Sequence, residues 1–286
     1  MIMNTQPQRP NIQVGDSTLG GGTMFALAGP CVLESLELAL SIAEEVKEVC
    51  SALAIPLVFK ASFDKANRTS AGAGRGPGFE RGLEWLNEVR ERVGVNVVTD
   101  VHLPEHCAQA AEVVDILQIP AFLCRQTDLL VAAAETGCAV NVKKGQFLPP
   151  WDAKHVVGKV TGAGNPNVLI TERGSSFGYG RLVVDMAGFR DLAETGCPVV
   201  FDATHSVQRP GGADGTTGGD RTLAPMLARS AAATGFVDGF FFETHPDPDT
   251  SPSDGANMIR LEDFADVLSG VQRAHSTATE SLISCD

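Results

Sequence analysis

A short apolar run, a polar loop and a longer stretch with helical spacing recur along the chain. The runs are Met24–Ala28, Leu57–Phe59, Val95–Thr99, Asp115–Gln118, Ala139–Val142, Val168–Thr171, Val199–Asp202 and Gly239–Phe242. Several are continuously apolar and rich in β-branched or aromatic residues, the pattern of strands covered on both faces. Between them Ser35–Cys50, Phe79–Val93, Pro104–Val113, Thr127–Thr136, Ala187–Glu194 and Arg221–Ala233 carry helical periodicity. Two helical stretches end at Thr-Gly-Cys and one at Thr-Gly-Phe, where glycine supplies the stop.

Eight such units predict a closed (β/α)8 barrel. An open, doubly wound sheet is the rival, but it seldom needs eight equal units. Residues 1–22 form an N-terminal extension in which 10–22 (PNIQVGDSTLGGG) reads as a short β-hairpin, placed to plug the bottom of the barrel. No inter-domain linker follows, so 23–275 is one catalytic barrel and 276–286 a tail without a readable motif. Two glycine-rich segments, 70–78 after the second strand and 210–219 after the seventh, lack the spacing of a phosphate-binding loop. Their place after strands suggests substrate lids.

Composition narrows the function. A chain of 286 residues suits one barrel of roughly 250 residues with an appendage. Its 22 Lys+Arg against 35 Asp+Glu give a net charge of −13, which argues against a nucleic-acid or anionic-membrane surface. Seven cysteines, widely spread and without a C-x-x-C pair, read as reduced thiols. With no signal-peptide core and no apolar stretch long enough to span a membrane, the expected location is the cytoplasm.

In such barrels chemistry sits at the C-terminal strand ends. Strand two ends in Lys60, followed by Lys65 and Arg68. Strand four ends in Gln118, with Arg125 shortly after. Strand five ends in Lys143 and Lys144, and strand six in Arg173. Four of the seven lysines fall at two of these loops. Any one such cation could be a solvated surface charge, but an acidic protein that gathers them at one rim is suited to hold phosphates or carboxylates. Strands seven, eight and one are neighbours in a closed barrel, and they lead to His205, to Glu243 with Asp254 beyond, and to Cys31. One thiol, one imidazole and two carboxylates suit zinc, ferrous iron or manganese. No one of these spacings is diagnostic, and from the residues alone a core cysteine, a turn aspartate and a hydrogen-bonded histidine remain equally open readings.

The segments AGPCVLES, FKASFDKANRTS, VVTDVH, QIPAFLCRQTDLL, NVKKGQF, TERGSSFGYG, VVDM, FDATHSVQ and FFETHPDPDTSPSDG occur in order from about residue 24 to 258. Together they resemble the 3-deoxy-D-manno-octulosonate 8-phosphate synthases. The resemblance implies a (β/α)8 barrel, usually a homotetramer, that condenses phosphoenolpyruvate with D-arabinose 5-phosphate and water for lipopolysaccharide synthesis. By position, Lys60, Lys65, Gln118, Lys143 and Arg173 resemble the residues that hold phosphoenolpyruvate, with Ser62 in the same loop. Asn67, Arg68 and Thr69 resemble the arabinose 5-phosphate site, Thr69 standing where serine is common. Phe122, Arg125 and Gln126 resemble the part that reaches a neighbouring subunit's site. Cys31 stands where the metal-free branch of the family carries Asn, so Cys31, His205, Glu243 and Asp254 resemble the ligand set of the metal-dependent branch. Gly145, where many metal-free members carry Pro, agrees. The expected catalytic set is Lys65, His205, Asp254 and Cys31, with one divalent ion per subunit and Lys65 as proton donor. Three alternatives stay open: the sister synthase that uses erythrose 4-phosphate, a Schiff-base aldolase using a strand-end lysine such as Lys143, and a non-catalytic sugar-phosphate or metal-binding barrel.

Overall fold

A computed structural model describes residues 10–15, 17–66, 74–178, 180–213 and 216–283. Eight parallel strands form its centre: β1 (Phe25–Gly29), β2 (Leu57–Lys60), β3 (Asn96–Asp100), β4 (Ile116–Ile119), β5 (Ala139–Lys143), β6 (Val168–Glu172), β7 (Val199–Asp202) and β8 (Gly239–His245). Each pairs with its sequence neighbour, and β8 pairs with β1 on one side and β7 on the other, which closes the barrel. The open-sheet alternative is thereby excluded.

The helices outside are α1 (Leu36–Ala52), α2 (Phe79–Val89), α3 (Pro104–Ala111), α4 (Thr127–Glu135), α5 (Ala153–Gly162), α6 (Gly188–Ala193), α7 (Ala224–Ala232) and α8 (Phe264–Ile283). Ser35 caps α1, its hydroxyl accepting from the Leu38 amide. The three Thr-Gly steps terminate α4, α6 and α7, with Gly137, Gly196 and Gly235 all at positive φ. In each step the threonine hydroxyl also bonds back to a carbonyl of the last turn. Helix α8 runs on through residue 283, so the first part of 276–286 continues the last barrel helix.

Strand alternation sorts the apolar side chains into two cores. Ala26, Ala28, Phe59, Val97 and Leu117 face outward and join the cluster under the helices. Phe25, Leu27, Val58, Val98, Ile116, Leu169, Val200 and Phe241 face inward and fill the lower barrel. Both strand faces are buried, which is why the runs lack alternation in hydropathy. The extension folds as the expected hairpin, Asn11–Val14 against Ser17–Gly20, and Ile12, Val14 and Leu19 belong to the inner core. It therefore plugs the bottom. Buried Asp238 ties it there, accepting from the Gly22 amide at 2.9 Å and the Val199 amide at 3.1 Å.

The glycine-rich segment after β7 is not an irregular loop. It forms an antiparallel hairpin, Gln208–Ala213 against Thr216–Gly219, with Gln208 opposite Gly219 and a bulge between. Of the other segment, residues 70–73 lie outside the described part of the chain.

Candidate active site

Above Phe241 the inward positions of the strands turn polar. Parity places Lys60, Asp100, Gln118, Asn141, Lys143, Thr171, Arg173, Asp202 and Glu243 inside the mouth, all buried. Burying so many polar groups is tolerable only if they bond to one another, and they do. Gln118 donates to Asp100 at 2.7 Å, Asn141 to Gln118 at 2.9 Å, and Thr171 to Asn141 at 2.7 Å. The Ser62 hydroxyl donates to Asp100, and Lys65 donates to Ser62 at 3.1 Å. This belt fixes side chains from β3 to β6 and leaves the cations above it oriented.

Lys143 and Lys144 are separated by one residue of pleat and have different tasks. Lys143 points into the barrel, where its ammonium lies 3.4 Å from the centroid of the Phe241 ring and pairs with Asp202. Lys144 points outward and holds the Gly145 and Leu148 carbonyls, with Glu172 at 3.4 Å. It supports the loop and is not part of the mouth.

The sequence reading treated the rim as cationic. The structure supplies a counterion for each of the three lysines, and a neutral amide for the arginine. Lys60 lies 2.9 Å from Glu243, Lys65 lies 3.8 Å from the same carboxylate, and Lys143 pairs with Asp202. Arg173 donates through one nitrogen to Gln208 at 2.6 Å, and Gln208 donates on to Asp254 at 3.0 Å. Four cations thus face Asp100, Asp202, Glu243 and Asp254. Asp100, Asp202 and Gln208 were missed as site residues because they stand inside quoted motifs and belong neither to the strand-end cations nor to the thiol, imidazole and carboxylate set. Strand-end parity applied to β3 and β7 would have found both aspartates.

The acidic half holds three of the four metal-ligand candidates together: ligand atoms of Cys31, Glu243 and Asp254 lie within 4.8 Å of one another. His205 Nε2 approaches one member, lying 3.6 Å from Glu243 Oε2, while its Nδ1 is held by Asp202 at 2.7 Å. That second bond aims Nε2 at the cluster, as a carboxylate commonly does behind a ligating histidine. The Cys31 sulfur lies 3.1 Å from the Ser253 hydroxyl and 3.5 Å from Asp254. Among the buried side-chain atoms of the described residues that lack a hydrogen-bond partner, two of opposite character belong to these half-sites: Glu243 Oε2 in the acidic half and Arg173 Nη1 in the basic half. An orphaned carboxylate oxygen beside a thiol, an imidazole and a second carboxylate fits a divalent cation. An orphaned guanidinium N–H fits an anion.

Charge states agree. Burial pushes the Asp202 carboxyl up, but His205 and Lys143 outweigh it and hold it well below the usual range. Burial likewise opposes ionisation of Glu243, and His205, Lys60 and Lys65 overcome it. Burial and the Glu243 carboxylate push the Cys31 thiol well up, so it is a protonated thiol unless a cation joins the cluster. Lys65 is raised despite burial, by the Glu243, Asp100 and Asp254 carboxylates, and remains an ammonium.

Asn67, Arg68 and Thr69 lie outside the described residues. Phe122 is 56% exposed on the turn after β4, and Arg125 and Gln126 are exposed beside it. Within one chain these three stand apart from the buried polar belt. Phe147, Trp151 and Phe177, in the loops after β5 and β6, are also exposed.

A closed (β/α)8 barrel with a mouth that pairs an anion pocket with a thiol, imidazole and carboxylate cluster defines a barrel enzyme built to bind anionic substrates. The chain belongs to the DAHP synthetase I family, whose model matches residues 4–279. It is 58% identical over 262 residues to the 2-dehydro-3-deoxyphosphooctonate aldolase of Methylobacterium radiotolerans, covering 91% of this chain and 92% of that one. To the protein of the same name from Granulibacter bethesdensis it is 57% identical over 258 residues, 90% and 91% of the two chains. To that of Caulobacter vibrioides it is 55% identical over 253 residues, 88% of each.

Proposed function

We propose that this protein condenses phosphoenolpyruvate with D-arabinose 5-phosphate and water, giving 3-deoxy-D-manno-octulosonate 8-phosphate and inorganic phosphate. The observation that carries the reading is the pairing of two half-sites in one mouth: Arg173 with a free N–H beside Lys60 and Lys143, and the Cys31, Glu243 and Asp254 cluster within one side chain's reach. Relatives across nine-tenths of the chain carry the matching name.

Lys60, Lys143, Arg173 and Gln118 bind the phosphate and carboxylate of phosphoenolpyruvate over the Phe241 floor. Holding two anions in one pocket offsets their repulsion and brings C3 of phosphoenolpyruvate to the aldehyde carbon. As C3 attacks, the aldehyde oxygen gains negative charge and C2 becomes electron-poor. Lys65, whose ammonium donates to Ser62, delivers its proton to that oxygen. Water adds at C2, and the resulting phosphohemiketal releases phosphate by C–O cleavage. Cys31, His205, Glu243 and Asp254 would hold one zinc, ferrous or manganous ion, which supplies Lewis acidity toward the aldehyde or the attacking water. Asn67, Arg68 and Thr69 take the sugar phosphate, and Phe122, Arg125 and Gln126 of one subunit complete the site of its neighbour in a homotetramer. Exposed Phe122, Phe147, Trp151 and Phe177 support burial of this face in an assembly. We place the activity in the cytoplasm, in lipopolysaccharide synthesis; among the described residues no helix is long and apolar enough to cross a membrane.

The Schiff-base reading is disfavoured because the Lys143 nitrogen is engaged by Asp202, whose carboxylate opposes the downward push that burial exerts on the ammonium. Phosphate release from phosphoenolpyruvate, measured with arabinose 5-phosphate or erythrose 4-phosphate before and after chelation, tests the proposal. Turnover with the five-carbon aldehyde, lost on chelation and restored by a divalent ion, is the expected result. Preference for erythrose 4-phosphate would move the assignment to the sister synthase, and turnover surviving complete metal removal would overturn the role of Cys31.

A further inference from the structure

Gln208 stands at the join of the two half-sites. Its side-chain carbonyl accepts from Arg173 Nη2 at 2.6 Å, and its side-chain nitrogen donates to Asp254 Oδ1 at 3.0 Å. Arg173 has no acceptor and an ionised Asp254 has no donor, so the amide can satisfy both neighbours in one orientation only. The residue is buried, which raises the cost of leaving either contact unmade.

Both neighbours need holding. Asp254 has a backbone φ of 51°, a conformation that an L side chain adopts only when its surroundings enforce it. Its loop is tied at other points, by Ser251 to Glu34 at 3.0 Å and by Arg221 to the Gly255 carbonyl at 2.8 Å, but neither tie touches the carboxylate. Arg173 carries the orphaned Nη1, so its guanidinium is held on one edge by Gln208 and presents the other edge to an anion. Gln208 also begins the hairpin that closes at Gly219, where a Cβ would fall 1.5 Å from Asn257 Oδ1, and Asn257 in turn reaches Asp254 at 3.4 Å.

We propose that Gln208 is a positioning residue that couples the two half-sites, ordering Arg173 and Asp254 together so that filling the anion pocket tightens the cation cluster and the reverse. The inference rests on the proposed function, in which an anion meets Arg173 and a divalent ion meets Asp254. Ordering the Arg173–Gln208–Asp254 chain costs conformational entropy, and whichever ligand binds first meets that cost for the second. Such coupling is reciprocal for binding, and typical factors run from about 5- to 150-fold.

The test measures Zn²⁺ affinity of the full-length protein by competition with a chromophoric chelator, without and with saturating phosphoenolpyruvate. In the wild type, phosphoenolpyruvate is expected to tighten Zn²⁺ at least about fivefold. In Gln208→Met, which keeps the volume and removes both hydrogen bonds, Zn²⁺ alone binds more weakly and most of that factor is lost. Arg209→Ala, on the exposed side of the same strand, is expected to keep the wild-type factor. If Gln208→Met does not fold, Gln208→Asn keeps the amide but is too short to span both partners, and it should lose the coupling likewise. A wild type that binds both ligands without mutual tightening, or a folded variant with the wild-type factor, overturns the coupling alone. A wild type that binds neither ligand overturns the proposed function with it.

Discussion

Lys143 on β5 and Asp202 on β7 form an ion pair that passes over β6 and crosses the barrel above the Phe241 ring. Both groups are buried, so removing one leaves the other charged in a poorly solvated place. Lys143→Met is expected to lower stability by about 3–5 kcal/mol at pH 7, read by urea unfolding. The sign of the pH effect follows from Asp202, whose folded pKa lies below its unfolded value of about 4. The pair's contribution is therefore present above pH 4 or so and is lost as pH falls further. The deficit of the variant should hold from pH 7 to about pH 4 and narrow as pH falls below that; a deficit that shrinks already between pH 7 and pH 5 would show that the pair does not stabilise the barrel through an ionised Asp202.

Lys65 makes a separable prediction. Its ammonium is held by Ser62, and Glu243 lies at 3.8 Å. Lys65→Arg keeps the positive charge but supplies a guanidinium that does not give up its proton. Substrate KM should stay within a few-fold while kcat drops by about 10²–10⁴. Equal damage to KM would mean that Lys65 binds substrate without moving a proton.

Cys31 tests the cluster directly. Cys31→Ala is expected to purify with little bound metal, measured by elemental analysis, and with most activity gone. A metal-free Cys31→Ala protein of full activity would refute the metal role.

The barrel was legible because its strands are buried on both faces and its helices stop at glycine, two signals that are local in the sequence. The hairpin after β7 was not, since glycine carries no hydropathy pattern and only the pairing of Gln208 with Gly219 reveals the strands. The cations were legible by charge and by position at strand ends. Their counterions were not: Asp100 on β3 meets Lys60 of the adjacent β2, and Asp202 on β7 meets Lys143 across β6, contacts that depend on strand order and on which side chains point inward. Lys144 shows the reverse error, a strand-end lysine that one step of pleat turns away from the site.

The remaining thiols are expected to be inert. Burial pushes Cys50 up to about 12 and, as the leading cause, Cys107, Cys138 and Cys197 up to about 11. Since the thiolate is the nucleophile, only about one in a thousand of the latter is reactive at pH 8. In a Cys285→Ser background, a thiol reagent should label the native protein slowly and the unfolded protein at once. Rapid labelling of the native form would mean that the segments around these cysteines open locally.

Arg125 is exposed in the single chain and its carbonyl accepts from Lys159 at 2.8 Å, and among the described residues its guanidinium makes no hydrogen bond or ion pair, which suits it to act beyond its own subunit. Mixing two inactive variants tests whether it does. In an oligomer of Arg125→Ala and Lys65→Met chains, a site on an Arg125→Ala subunit keeps its own Lys65 and can borrow Arg125 from a Lys65→Met neighbour. Random pairing across a two-fold interface would restore about a quarter of the sites. If Arg125 serves its own subunit, each site still lacks one of the two groups and the mixture stays inactive. Recovery after co-refolding, absent when the variants are mixed without subunit exchange, is the expected outcome, and its failure would confine the complete site to one chain.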